Sequence, residues 1–219
     1  MSSLHLQCAV FALLVALSAS AWGEVDQSPR ELIMTTTERL VTELRENRDE
    51  VKVNRKLAHQ LAETIVVPHI DLAHVNRWVL GRHWNEATDA QRKRFAVVFK
   101  RFLMGVYVTA MVTYVDDIIS HAKNVSYPPL EPAEGSRNTL VRTLIQLPSG
   151  ARVEVNYRMH RVEGAWKVFD VNVLGISLAS IYRTLFATEI ARAGLDGLIQ
   201  QLDDKTKGRG GTSASAEAQ

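Results

Sequence analysis

The 219-residue chain is 46% hydrophobic and 23% charged, with only 12 Gly and 6 Pro, enough apolar material for a sizeable core in one or two domains. Its formal net charge of +2 makes no general case for a nucleic-acid partner. The single cysteine, Cys8, excludes a disulfide framework, and beyond residue 8 it excludes thiol chemistry and cysteine metal sites.

Residues 1–21 contain no Asp, Glu, Lys or Arg. The apolar run 8–17 has the length of a signal-peptide core, and Ala19-Ser20-Ala21 supplies the small-x-small cleavage pattern before Trp22. Only His5 and the α-amine stand where basic side chains are expected, so an uncleaved anchor is the other reading. The run is short for a span of ~20 residues, which favours export to the periplasm with cleavage. Cys8 in the context Leu6-Gln7-Cys8 sits too early for lipid attachment. The expected organisation is a signal peptide over 1–21, one α+β domain over 22–207, and a Gly-, Ser- and Ala-rich disordered tail over 208–219.

Helices come first in the mature chain. Ser28-Pro29-Arg30-Glu31 is a capping box with proline at the first helical position. Leu32, Ile33, Leu40, Val41 and Leu44 follow at helical spacing. A second helix is predicted over 55–66, stopping before Pro68, and a short third one from Asp71 to Gly81. Thr88-Asp89-Ala90-Gln91 is a second capping box. In the helix it opens, Lys93, Arg94, Lys100 and Arg101 fall opposite Phe95, Phe99, Phe102 and Val106. From Phe102 to Val115 no charge remains, and a helix apolar all round must be covered all round. The β-branched content of this stretch leaves a strand open, while the frame Phe95, Phe99, Phe102, Val106, Ala110 favours helix.

Strands follow: an edge segment over 124–130 ending in Pro128-Pro129, then 139–147 paired with 152–162 across Pro148-Ser149-Gly150, then 165–173 after Glu163-Gly164. In 152–162, Val153, Val155, Tyr157 and Met159 alternate with Arg152, Glu154, Asn156 and Arg158, giving an antiparallel sheet with one apolar face. Ser177 then caps a helix bearing Leu178, Ile181, Tyr182, Leu185 and Phe186, and a last helix covers 195–202. The expected fold is α+β: about six helices and a curved antiparallel sheet of about four strands, NTF2-like, with a helical part. Periodicity alone leaves a filled core and a greasy cavity as alternatives.

Candidates for chemistry are few. His69-x-Asp71-x-x-His74, with His83 further on, has the only metal-like spacing, but Pro68 leaves His69 outside the helix, so no metal is expected. Asp170 lies in a strand among Trp166, Val168, Phe169 and Val171, where His160 is the one histidine placed to pair with it as an acid or base. No nucleophile elbow, phosphate loop or dinucleotide fingerprint occurs, so neither an enzyme nor a cofactor is expected.

The series Leu80-Gly81-Arg82-His83-Trp84, Gln91, Phe95, Phe99, Leu103, Tyr107 and Tyr114 resembles the helical half of the MlaC or toluene-tolerance family. The second half agrees in Tyr157-Arg158, in 164–171, in Gly175-Ile176-Ser177-Leu178 and in 182–186. The resemblance implies a periplasmic phospholipid carrier that works with an inner-membrane ABC transporter complex and an outer-membrane lipoprotein complex to maintain lipid asymmetry. It also implies sheet and helices around an acyl-chain cavity, which decides for the cavity over the filled core. Phe99, Phe102, Val106, Tyr107, Met111 and Tyr114 would then face lipid, opposed by Tyr157, Met159, Phe169, Ile181 and Phe186. Arg183 is the candidate for a head-group phosphate, and the stripe Lys93, Arg94, Lys100, Arg101 for docking to an acidic partner or an anionic membrane. Leu174, Ile181 and Leu185 depart from the family pattern by standing where a polar residue is more usual. The alternatives are an NTF2-like cone enzyme using Asp170 on a small hydrophobic substrate, and a non-catalytic structural envelope protein. If the leader is cleaved as expected, the intact mass of exported protein begins at Trp22 and thiol reagents add nothing to it; a mass retaining 1–21 refutes this.

Overall fold

The computed structural model describes residues 27–129 and 137–214; the leader 1–21 lies outside them. Both capping boxes form. Ser28 Oγ accepts from the Glu31 N–H at 3.2 Å and starts α1, Pro29–Glu46. Thr88 Oγ1 does the same for Gln91 and starts α6, Asp89–Thr113. Between them lie α2 (Arg48–Val53), α3 (Arg55–Leu61), α4 (Leu72–Leu80) and α5 (Arg82–Glu86). The helix expected over 55–66 is one α segment that widens into a π turn, Ala62–Val66, and tightens to a 3₁₀ turn, Val67–His69, around Pro68. Tyr114 breaks the long helix, and α7 (Val115–His121) continues at a new angle.

The sheet has five antiparallel strands in the order β1-β2-β3-β4-β5: Val125–Ser126, Asn138–Gln146, Arg152–Val162, Ala165–Val173 and Ile176–Ser177. The central hairpin falls where the alternation predicted, whereas β5 was missed because two residues carry no period. One register shift at Arg158/Met159 leaves Phe169 as the extra residue of a bulge, with Arg158 opposite Asp170 and Met159 opposite Val168. After β5, α8 (Leu178–Ala214) is broken at Gly194 (φ 72°, ψ 173°), a non-helical residue that separates two helical segments where two helices were expected. It runs on past residue 207, where the sequence reading ended the domain; adding a turn to a formed helix costs far less than nucleating one. Among the described residues this makes eight α-helices, against about six expected, because α2, α5 and α7 are too short to show a period.

The core is divided in three. Leu44, Val51, Leu61 and Ile65 of the first helices pack with Met104, Val108 and Met111 of α6 and Val115 of α7. Val79 and Leu80 pack with Phe95 and Phe99 of α6 and with Phe186, Leu198 and Leu202 of α8. The apolar face of the sheet, Val141, Met159 and Val168, is closed by Leu32 and Ile33 at the start of α1. The long helix thus contributes to both helical clusters and not to the sheet's own. By length and composition α6 could cross a membrane, but Phe95 and Phe99, both fully buried, make it the central helix of a packed unit.

The hairpin turns explain one oddity of the sequence. Glu163-Gly164 and Leu174-Gly175 each hold two positive φ values (50° and 86°, 52° and 85°), the signature of type I′ turns. Glycine takes such angles freely, and Asn or Asp tolerates them, but leucine does not. Leu174 is therefore strained as well as 62% exposed. Leu174→Asn is expected to raise unfolding stability by about 1 kcal/mol in a urea titration; an unchanged or lowered midpoint would contradict the strain.

Candidate functional site

Beyond Phe102 the long helix presents two adjoining apolar faces. Met104, Val108 and Met111 lie on the buried one. Leu103, Val106, Tyr107, Ala110 and Tyr114, at spacings of three, four and seven, share the next. This second stripe is only partly covered: Leu103 packs on the Phe95 and Phe99 cluster and Val106 is half-buried, while Tyr107 is 45% and Tyr114 56% exposed.

The stripe nevertheless does not face open water. Burial, reinforced by Tyr182 and Asp170, pushes the Tyr107 hydroxyl up to about 12. On β3, burial likewise pushes Tyr157 up to about 12, with Tyr127 and Tyr107 adding to the effect. A side chain whose surface water can reach, but whose hydroxyl is shielded as in an interior, sits on a concave wall. Tyr107 of the long helix and Tyr157 of the sheet lie near enough to bear on each other's hydroxyl, with Tyr182 of α8 near Tyr107, and these three rings flank a partly shielded region, the hollow. Phe102 leans on Tyr182 at 6.1 Å between ring centres, and Val106 is half-buried beside it.

A second depression, a cleft of about 590 Å³, runs along β5 and the first turns of α8, lined by Ile176, Ser177, Ser180, Ile181, Thr184 and Leu185. Its volume is in the range of small-molecule clefts, about 300–1,000 Å³. Ile181 and Leu185, the two helical departures from the family pattern, are its apolar walls, 41% and 57% exposed.

Of the eleven apolar side chains the sequence pointed to, Tyr107 and Tyr157 flank the hollow, Phe102 and Val106 are half-buried and Tyr114 exposed on the same helix as Tyr107, and Ile181 borders the cleft. Phe99, Met111, Met159, Phe169 and Phe186 are packed core instead. Phe99 stacks on Phe95 at 5.2 Å and meets Phe186 edge-on at 5.3 Å, so aromatic partners from two helices close over it. Phe169 is turned aside by the bulge and lies against His74 and His160 at 4.9 and 4.8 Å, with Arg158 over its ring at 5.1 Å. Sequence reasoning missed Tyr182, though its spacing to Phe186 placed both on one helix face.

The charged candidates are corrected too. In the basic stripe, Arg94 pairs with Asp196, Lys100 with Glu63 and Arg101 with Asp203, so most of its charge is spent on neighbouring helices. Arg183 lies over Gly81, where an added Cβ would meet its guanidinium at 3.1 Å, and is not among the walls of the cleft. Asp170 does not pair with His160. Its Oδ1 accepts the Ala179 N–H at 3.1 Å, capping α8, and its Oδ2 lies 3.7 Å from Arg158. His160 reaches across to Asp71 instead, Nε2 to Oδ2 at 2.8 Å, and His74 stands beside both. These three bring their donor atoms within 4.8 Å of one another; His69 and His83 take no part.

The fold and this geometry agree with three comparisons. The MlaC protein family profile matches residues 34–204. The chain belongs to the MlaC family. It is 28% identical over 192 residues to toluene tolerance protein ttg2D of Pseudomonas putida, covering 87% of this chain and 84% of that one. It is 22% identical over 194 residues to the intermembrane phospholipid transport system binding protein MlaC of Haemophilus influenzae, covering 87% of each. Among solved structures it resembles the phospholipid-binding protein of Ralstonia solanacearum in complex with a phospholipid, with TM-score 0.69 and 26% identity over 83% of this chain and 98% of that one.

The shared hollow has a spectroscopic consequence. Because the neutral phenols are favoured in the fold, the 295-nm absorbance of the native protein should keep a component that rises only near pH 12. That component should shrink in Tyr107→Phe and again in Tyr157→Phe. The sign follows for stability: the unfolded chain ionises first, so native stability falls as pH rises above the ordinary tyrosine value of about 10. A native titration complete near pH 10 would dismiss the enclosure.

Proposed function

We propose that this protein is a phospholipid carrier whose acyl chains lie in the hollow between the long helix and the sheet. The observation that carries the reading is the apolar stripe Leu103, Val106, Tyr107, Ala110, Tyr114, exposed at Tyr107, Ala110 and Tyr114 on a helix whose neighbouring face is packed. The relatives' names and the phospholipid in the Ralstonia solanacearum structure support the same ligand class.

The energetics favour enclosure. Two acyl chains with ~30 methylenes between them would cost on the order of 20 kcal/mol if exposed to water, at ~0.8 kcal/mol per methylene. A carrier in an aqueous compartment has to cover most of that area, yet not hold it more tightly than a membrane does. Shape and apolar surface accomplish this, and no bond is made or broken. In keeping with the family resemblance, the proposed place of work is the periplasm. There it would pass lipid between an inner-membrane ABC transporter complex and an outer-membrane lipoprotein complex, maintaining outer-membrane asymmetry.

Two substitutions test the reading on freshly purified protein. Val106→Glu puts a carboxylate on the stripe, where water can reach it once lipid is gone, so the fold should survive while lipid is lost. Leu198→Glu buries a charge in a packed cluster at a side chain 1% exposed, and should cost several kcal/mol of stability without selective loss of lipid. Native mass spectrometry and solvent extraction report the lipid, and thermal melting followed by circular dichroism reports the fold. Wild-type protein with no extractable phospholipid, or Val106→Glu that keeps its lipid, would refute the assignment.

A further inference from the structure

Asp71, His74 and His160 come from two distant parts of the chain and meet beside the bulge of β4. The local geometry is fixed before any ligand is considered. Asp71 caps α4 by accepting the His74 N–H on Oδ1 at 2.8 Å, which leaves Oδ2 facing His160. Its own N–H donates to the Val168 carbonyl at 2.9 Å, and Ile70 bridges Val168, so the loop before α4 is fastened to β4. His160 stands on β3 opposite Lys167. The capping relation brings His74 onto the same end of α4 as Asp71, and its ring meets that of His160 edge-on, 4.8 Å between centres.

We propose that Asp71, His74 and His160 form a binding site for one divalent transition-metal ion of the zinc class. Two imidazoles and one carboxylate suit zinc, cobalt(II) or iron(II), and the presence of two nitrogen donors disfavours calcium and magnesium. Ligand bonds of about 2.0–2.2 Å require donor atoms about 3.4 Å apart around a tetrahedral ion. The donors here lie within 4.8 Å of one another, so a closing of little more than about 1 Å would bring them to that distance. A second layer orients the ligands: the His74 N–H holds the far oxygen of Asp71, and Phe169 lies against both imidazoles at 4.9 and 4.8 Å. The side chains of Asp71 and His160 keep 12% and 16% of their surface, which gives an ion a route in and leaves a fourth position to water. The bound ion would fasten the start of α4 to β3, and the site is independent of the lipid reading.

The test uses the full mature protein stripped with a chelator and dialysed. Titration calorimetry with ZnCl2 should show one equivalent bound, and saturating ZnCl2 should raise Tm by about 5–10 °C. CoCl2 should give visible d–d absorption of a four-coordinate ion. His160→Gln, which keeps a hydrogen-bond donor for Asp71, and His74→Gln should each weaken ZnCl2 binding at least tenfold while the metal-free Tm and circular dichroism stay near wild type. His83→Gln, at a histidine paired with Glu86 away from the cluster, should bind as wild type does. Wild-type protein with no saturable ZnCl2 binding, or equal affinity in the His74 and His160 variants, would overturn the proposal. If either variant fails to fold, Asp71→Asn, which keeps an oxygen to accept the His74 N–H, decides in its place by the same loss of affinity.

Discussion

Everything in this molecule follows from how the long helix is covered. A helix with no charge over 102–115 has more apolar surface than one packed neighbour can take, and the chain answers with unequal coverage. One face is buried against the first three helices through Met104, Val108 and Met111. The next face, which carries Tyr107 and Tyr114, is only partly covered, and the apolar side of the sheet is engaged by Leu32 and Ile33 of α1. The capping box at Ser28 fixes where α1 begins and so where Leu32 and Ile33 meet the sheet.

The walls are kept apart by elements that the sheet itself anchors. Asp170, opposite Arg158 at the edge of the bulge, caps α8 through the Ala179 N–H, and α8 in turn packs on the long helix through Phe186, Leu198 and Leu202. On the same side of β3 and β4, Asp71 ties the loop before α4 to Val168 and to His160. The polar residues that a search for catalysis would choose first are thus used to fix helix ends against strands. A buried carboxylate in an apolar strand draws attention as a possible acid or base, but here one of its oxygens answers a helix N-terminus and the other lies 3.7 Å from Arg158, which is an equally good reason for it to be there.

What was legible in the sequence followed from periodicity and turn chemistry. The two capping boxes, the long helix and the strands β3 and β4 stand where their patterns put them, because each is long enough to repeat. The helices α2, α5 and α7 and the two-residue strand β5 have no repeat to read and are set by tertiary contacts. The family resemblance pointed to a ligand region, but it did not sort exposed from packed side chains. Phe99 and Tyr107 are both apolar-face residues of one helix, and only the packing of Phe95 and Phe186 around the first distinguishes them. The meeting of His160 with Asp71 was out of reach for a similar reason: it depends on an isolated bridge from Ile70 to β4, which no local pattern encodes.

The choice of tyrosine along the hollow bears on how such a molecule could stay folded both with and without a lipid. A hollow lined by Leu and Phe alone would either collapse on itself or attract any apolar surface it met, since burial is worth about 25 cal/mol per Å². Tyrosine changes that balance at its tip. Its ring packs against chains as phenylalanine would, while its hydroxyl can bond to water when the chains are gone. Tyr107, Tyr157 and Tyr182 approach the hollow from the long helix, the sheet and α8, so each wall carries the same compromise. Burial raises the hydroxyls of Tyr107 and Tyr157, which disfavours a charge there, while the Tyr107 side chain remains 45% exposed. Those two properties together are what a reversible apolar ligand requires: a site dry enough to accept it and wet enough to let it go.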